Sequence, residues 1–127
     1  MKLLLISNST NSGEAYLAWP QPFIPQVMNH HKVKKVLFVP YAGVNLSSES
    51  IEKSYDVYEE RVSKVFNELG FELKSIHNCS DKVKAVQEAE CIAVGGGNTF
   101  HLVAMMHKTG IMSAIREKAL SGTPYMG

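Results

Sequence analysis

Short apolar runs alternate with longer amphipathic runs along this chain, and no other feature constrains its fold as much. Residues 3–6, 36–39, 71–76, 91–94 and 123–126 are apolar stretches of strand length, bounded by Gly, Pro, Asn or Ser. The segments between them carry helical spacing, the order expected of βαβ units around a parallel sheet. The first run, residues 3–6, is continuous and reads as a strand buried on both faces. The clearest helix follows the second run, where Ile51, Tyr55, Tyr58, Val62, Val65, Phe66 and Leu69 recur at three- and four-residue steps. Ser47 or Ser48 is the expected cap, Glu49 and Glu52 suit the positive N-terminal end, and Gly70 stops the helix. Asp81 caps a short helix carrying Val83, Val86 and Ala89. Two more helices are expected over residues 99–107 and 112–120, with Gly122 ending the second. Residues 14–29 are apolar-rich, but Pro20, Pro22 and Pro25 forbid one regular helix, so a short helix at 13–18 and a helical turn over 24–28 are predicted. The expected architecture is α/β: a parallel-sheet, Rossmann-like domain with helices on both faces.

At 127 residues the chain suits one domain, and its 45% hydrophobic and 20% charged content is that of a globular fold. A net charge of +1 gives no reason to expect nucleic acid or an anionic membrane as partner. Lys32, Lys34 and Lys35 form the densest basic group and read as a solvated turn. The opening apolar run is too short for a signal peptide, and no stretch approaches the roughly 20 apolar residues of a membrane span. Cys79 and Cys91 have no metal spacing, and one disulfide would be thin support for a secreted domain. The sequons at Asn8, Asn45 and Asn78 carry no weight without an export signal. A cytoplasmic protein is expected.

Ligands of open parallel sheets bind beyond the C-terminal strand ends, which here means loops 7–12, 40–45 and 95–99. The third is the most informative. Gly95-Gly96-Gly97-Asn98-Thr99-Phe100 joins a buried strand to a helix, yet Phe100 spoils a dinucleotide fingerprint and no Lys-Ser/Thr pair completes a P-loop. Consecutive glycines let backbone N–H groups converge in front of a helix N-terminus, which suits a phosphate, a carboxylate or the oxyanion of acyl transfer. The same residues could simply turn the chain tightly. His30 and His31 fall in a polar loop, and His77 with Cys79 is too isolated for zinc. His101 and His107 lie on different helix faces, although His101 is close enough to the glycine loop to touch a ligand. Cys91 reads as inert packing, Met105, Met106 and Met112 as fillers, and Ser7, Ser9 and Ser12 lack a base to make a nucleophile. Tyr55 and Tyr58 fit a domain core better than a subunit interface.

Three segments carry a family resemblance: Leu4-Leu5-Ile6-Ser7-Asn8-Ser9-Thr10, Val39-Pro40-Tyr41-Ala42-Gly43-Val44 and Val94-Gly95-Gly96-Gly97-Asn98-Thr99-Phe100. In order and spacing they resemble the peptidase E family of aspartyl dipeptidases. The resemblance implies a class I glutamine-amidotransferase-like fold, here ending after the fifth strand. It further implies hydrolysis of dipeptides with N-terminal aspartate by a serine in a Gly-Trp-Ser-Ala-Gly turn, whose first glycine is matched by Gly127. Residues 1–127 are then the N-terminal part of a single α/β peptidase domain. The nucleophile, histidine and acid follow, and the segment is inactive alone. Backbone N–H groups of Gly97 and Asn98 are the expected oxyanion donors, with Gly96, Thr99, Ser9 and Tyr41 lining the substrate pocket. The expected partners are a small peptide substrate and the remainder of the domain, with neither nucleic acid nor membrane, and a homodimer is left open. No metal or organic cofactor is implied. Two alternatives stand beside this: a non-catalytic module binding a small anion or nucleotide, and a related cyanophycin-type serine peptidase.

Overall fold

The computed structural model describes residues 1–30 and 32–127. Five strands, β1 (Leu3–Leu4), β2 (Lys35–Val39), β3 (Glu72–Ser75), β4 (Ile92–Val94) and β5 (Tyr125–Met126), pair in parallel in the order β1-β5-β4-β2-β3. The helices are α1 (Phe23–His30), α2 (Ile51–Glu68), α3 (Lys82–Gln87), α4 (Thr99–Lys108) and α5 (Ile111–Leu120). Successive strand residues face opposite ways, and each face of the sheet has its own core. Val36, Phe38 and Ala93 pack against Ile24 and Met28 of α1 and Tyr58, Val62, Val65 and Phe66 of α2. Leu37, Val39 and Ile92 pack against Val86, Met106, Ile111 and Ile115 of α3, α4 and α5. Helices therefore cover both faces, as the alternation predicts.

The cap of α2 is Ser50 rather than Ser47 or Ser48. Its extended backbone precedes the first helical residue, and its hydroxyl accepts from the Lys53 N–H at 3.0 Å. Ser47 lies in the approach loop, with its N–H on the Ser54 hydroxyl and its own oxygen taking the Glu49 N–H. Asp81 caps α3 as expected, accepting from the Lys84 N–H at 3.0 Å. Pro25 is tolerated in the first turn of α1, where its missing N–H would have no helical partner.

Four expectations fail. Residues 13–18 form turns, because the Leu17 N–H goes to the Ser9 carbonyl and Leu17 takes a left-handed φ of 59° while its side chain enters the core. The Trp19 indole N–H likewise goes to the Asn8 carbonyl at 2.7 Å. Strand β1 is an edge strand, with Leu3 44% and Leu5 69% exposed, rather than buried on both faces. Its ladder with β5 nevertheless continues as far as the Ile6 N–H and Gly127 carbonyl. The third strand stops at Ser75, and Ile76–Asn78 turn as a short 3₁₀ helix carrying His77. His30 belongs to α1 rather than to a loop, and His31 lies outside the described residues. Lys32, Lys34 and Lys35 are exposed as expected, and the Glu90 carboxylate accepts the N–H groups of Lys34 and Lys35.

The edge strand β3 is clasped to α2. Glu59 accepts the Ser75 N–H at 3.2 Å and the Asn78 side-chain amide at 2.8 Å, while His77 bridges the Ser75 hydroxyl and the Asp56 carboxylate. The donor atoms of Asp56, Glu59 and His77 lie within 4.8 Å of one another, and each residue is engaged in this clasp. Replacing Glu59 with Ala leaves the part-buried Ser75 N–H without its acceptor, and a loss of about 1–3 kcal/mol is expected in urea unfolding. A second prediction concerns pH. Burial pushes the Cys91 thiol up to about 12, so the folded chain keeps a proton that the unfolded chain, titrating near pH ~8.5, gives up. This contribution to stability is whole below about pH 8.5 and falls by at most ~1.4 kcal/mol per unit as the pH rises from there toward about 12. The Cys91→Ala variant is expected to show a flatter decline of the urea midpoint between about pH 8.5 and 10.

Candidate active site

β2 and β4 are neighbours whose connections part, since β2 leads to α2 over one face and β4 leads to α4 over the other. A crevice opens where adjacent connections diverge in this way. Its two lips, residues 40–45 and 95–98, are tied together. The Gly95 N–H donates to the Val39 carbonyl at 3.0 Å, and the Asn98 N–H donates to the Ala42 carbonyl at 2.8 Å. The Asn98 side chain caps α4 by accepting the His101 N–H at 2.9 Å. Between these ties Gly97 adopts a φ of 141°, and a Cβ there would collide with the Ala42 carbonyl oxygen. Only glycine fits that close approach. Among the described residues no hydrogen-bond acceptor takes the N–H of Gly96 or Gly97.

Gly96 and Gly97 line a cavity of about 560 Å³, whose wall also includes Ile6, Ser7, Ser9, Tyr16, Tyr58, Tyr125 and Gly127. A second opening of about 430 Å³ adds Thr10, Gly43, Arg61 and Asn98, and it shares Ser9, Tyr16, Tyr58, Gly96 and Gly97 with the first. Tyr58 stands between them. Its hydroxyl donates to the Gly96 carbonyl at 3.1 Å, and its ring meets Phe38 edge-on at 5.0 Å between centroids. A Cβ on Gly95 would come within 2.7 Å of that ring, and one on Gly43 would strike it outright. Burial raises the Tyr58 phenol above its ordinary range, which keeps it a donor at neutral pH. The Tyr16 phenol is raised too, by burial first, and the Arg61 guanidinium lies 6.0 Å from the Tyr16 ring centre.

The structure places Gly96, Gly97 and Ser9 around one cavity. Four other candidates are engaged or placed elsewhere. The Asn98 N–H is already held by Ala42, so it is not a free donor. Tyr41 turns into the opposite core, 5.2 Å edge-on from Tyr55, with its buried hydroxyl unpartnered and its phenol pushed up to about 12 by that burial. Thr99 stands exposed at the start of α4, outside the walls of both cavities. The His101 ring is bound to the Tyr55 hydroxyl instead of facing either cavity. Tyr16 and Tyr58 were missed as site residues. The available signal was the phenol at 58 on the buried face of α2, since a buried hydroxyl demands a partner.

No described helix is long and apolar enough to cross a membrane. The family model described as Peptidase family S51 matches residues 3–127. Peptidase E of Nostoc sp. is 41% identical over 126 residues, covering 99% of this chain and 49% of the relative. Peptidase E of Haemophilus influenzae is 34% identical over 125 residues, covering 98% of this chain and 54% of the relative. The chain spans about half the length of the curated relatives it matches. Among solved structures, a Listeria monocytogenes EGD-e protein bearing the peptidase E name superposes with a TM-score of 0.62 at 25% identity, covering 84% of this chain and 52% of that one. A peptidase from an acI-B1 actinobacterium shares the fold at a TM-score of 0.73 and 20% identity, covering 98% of this chain and 52% of its own. Sequence match, parallel sheet and glycine-lined crevice agree, and the chain belongs to peptidase family S51.

Proposed function

We propose that residues 1–127 supply the oxyanion side of a serine-type dipeptidase that hydrolyses Asp-Xaa dipeptides through an acyl-enzyme. The observation that carries this reading is that Gly97, whose N–H has no acceptor among the described residues, lines a cavity that Gly127 also lines. In this reading the nucleophile is a serine in a strand-to-helix turn that begins at Gly127, facing the glycine loop. As its oxygen attacks the peptide carbonyl carbon, the carbonyl oxygen gains negative charge. A backbone N–H already aimed at that point stabilises the charge without reorganising. Gly97 is the donor in this reading, and the N–H following the nucleophile is its natural partner. Asn98 serves by capping α4 and anchoring the loop to Ala42. Gly96 and Ser9 line the substrate space.

The test joins residues 1–127 to the C-terminal half of the Nostoc sp. peptidase E and assays Asp-Leu, Glu-Leu and a β-aspartyl-arginine dipeptide. Hydrolysis of Asp-Leu is expected from the joined protein and none from residues 1–127 alone. Cleavage of the β-aspartyl substrate in preference would favour the cyanophycin-type enzyme. A joined protein that is folded but inert, with inorganic phosphate or a nucleotide bound by residues 1–127, would replace the peptidase reading with a binding module. In the joined protein Gly97→Ala is expected to lower kcat by roughly 100-fold or more, through loss of the donor geometry. It should also cost about 1–3 kcal/mol in urea unfolding, because Ala resists this φ and meets Ala42.

A further inference from the structure

The Gly96 carbonyl and the Gly97 N–H belong to one peptide unit, planar and trans, so they point in opposite directions. Whatever holds the carbonyl therefore aims the N–H. The carbonyl is held by the Tyr58 hydroxyl at 3.1 Å, from a helix that packs against the sheet independently of the glycine loop. On the far side of Gly97 the next N–H, that of Asn98, is fixed to Ala42 at 2.8 Å. The Gly96–Gly97 peptide is thus pinned at both ends. Its remaining freedom is a flip about its long axis, which glycine on either side would permit at little steric cost. Such a flip would reverse the direction of the Gly97 N–H.

From this geometry we infer that Tyr58 is a positioning residue for the proposed acyl transfer, holding the Gly96–Gly97 peptide in the one orientation that presents its N–H to an oxyanion. The inference rests on the peptidase reading for its catalytic consequence, but not for its structural one. Tyr58 suits the task because its ring is locked before its hydroxyl is used. Phe38 stacks on one edge, and Gly43 and Gly95 leave room only for this ring. The hydroxyl therefore reaches the carbonyl with little rotamer entropy left to lose.

Tyr58→Phe keeps the ring and deletes the donor. In the joined protein it is expected to lower kcat on Asp-Leu about tenfold, a part of the 10²–10³ that losing a whole oxyanion donor costs, with KM changed less than twofold. Affinity for a peptide aldehyde, which forms a tetrahedral adduct, should fall by the same factor. Tyr55→Phe removes a hydroxyl from the same helix without touching the loop and should leave kcat unchanged. Para-aminophenylalanine at position 58 retains a donor and should restore the rate. Independently of activity, the Gly97 amide resonance should shift and exchange-broaden in Tyr58→Phe and not in Tyr55→Phe. An unchanged Gly97 resonance, or an equal loss of kcat in both variants, overturns the inference. An inert joined protein in which Gly97 still responds only to position 58 would sink the peptidase reading and leave the positioning role standing.

Discussion

Strand β2 has no free side. It pairs with β3 along one edge and β4 along the other, and Val36, Leu37, Phe38 and Val39 are all buried. A strand in that position must have its two faces covered by different helices, since each face presents its own apolar residues. The chain meets the demand by sending its first connections over one face and its later ones over the other. The crevice between β2 and β4 is therefore a consequence of packing before it is a feature of chemistry. The glycine loop lies there because that is where two connections separate and leave backbone groups unclaimed.

The same packing sets the precision of the site. Tyr58 is one of the buried-face residues of α2, and among the described residues it is also the hydrogen-bond donor to the Gly96 carbonyl. Core and crevice thus share a side chain, and the glycine loop inherits the rigidity of an eighteen-residue helix. The Ala42–Asn98 bond extends the arrangement, because a loop tied at both ends to neighbouring elements loses little further entropy when a ligand arrives. Glycines 43, 95 and 97 are the concession that lets ring and carbonyl come so close.

Much of the fold was legible because its signals are local. Helix α2 is seen in its three- and four-residue spacing and in Gly70, and α3 in Asp81 followed by Val83 and Val86. The errors lie where a distant partner decides. Residues 13–18 have helical composition, but the carbonyls of Asn8 and Ser9 take the Trp19 and Leu17 N–H groups and hold turns instead. An apolar run such as 3–6 looks the same at an edge as in the centre, and only strand order shows that β1 has β5 as its sole neighbour. Ser47, Ser48 and Ser50 are equal as residue types, and the backbone path into α2 chooses among them.

By itself the sequence determined the βαβ order and the glycine turn between β4 and α4 with its run of small residues, because periodicity, composition and glycine content act over a few neighbouring positions. The tertiary structure decided which N–H groups of that turn are taken. Asn98 loses its N–H to a carbonyl 56 positions earlier in the chain (98 − 42), while the Gly97 N–H finds no acceptor among the described residues and the Gly96 carbonyl is held by Tyr58, 38 positions away. Tyr41 and Tyr58 are alike as residues, yet one is sealed in the opposite core and the other lines the crevice. That choice depends on which face of the sheet each element is packed against, and a single stretch of sequence does not contain it.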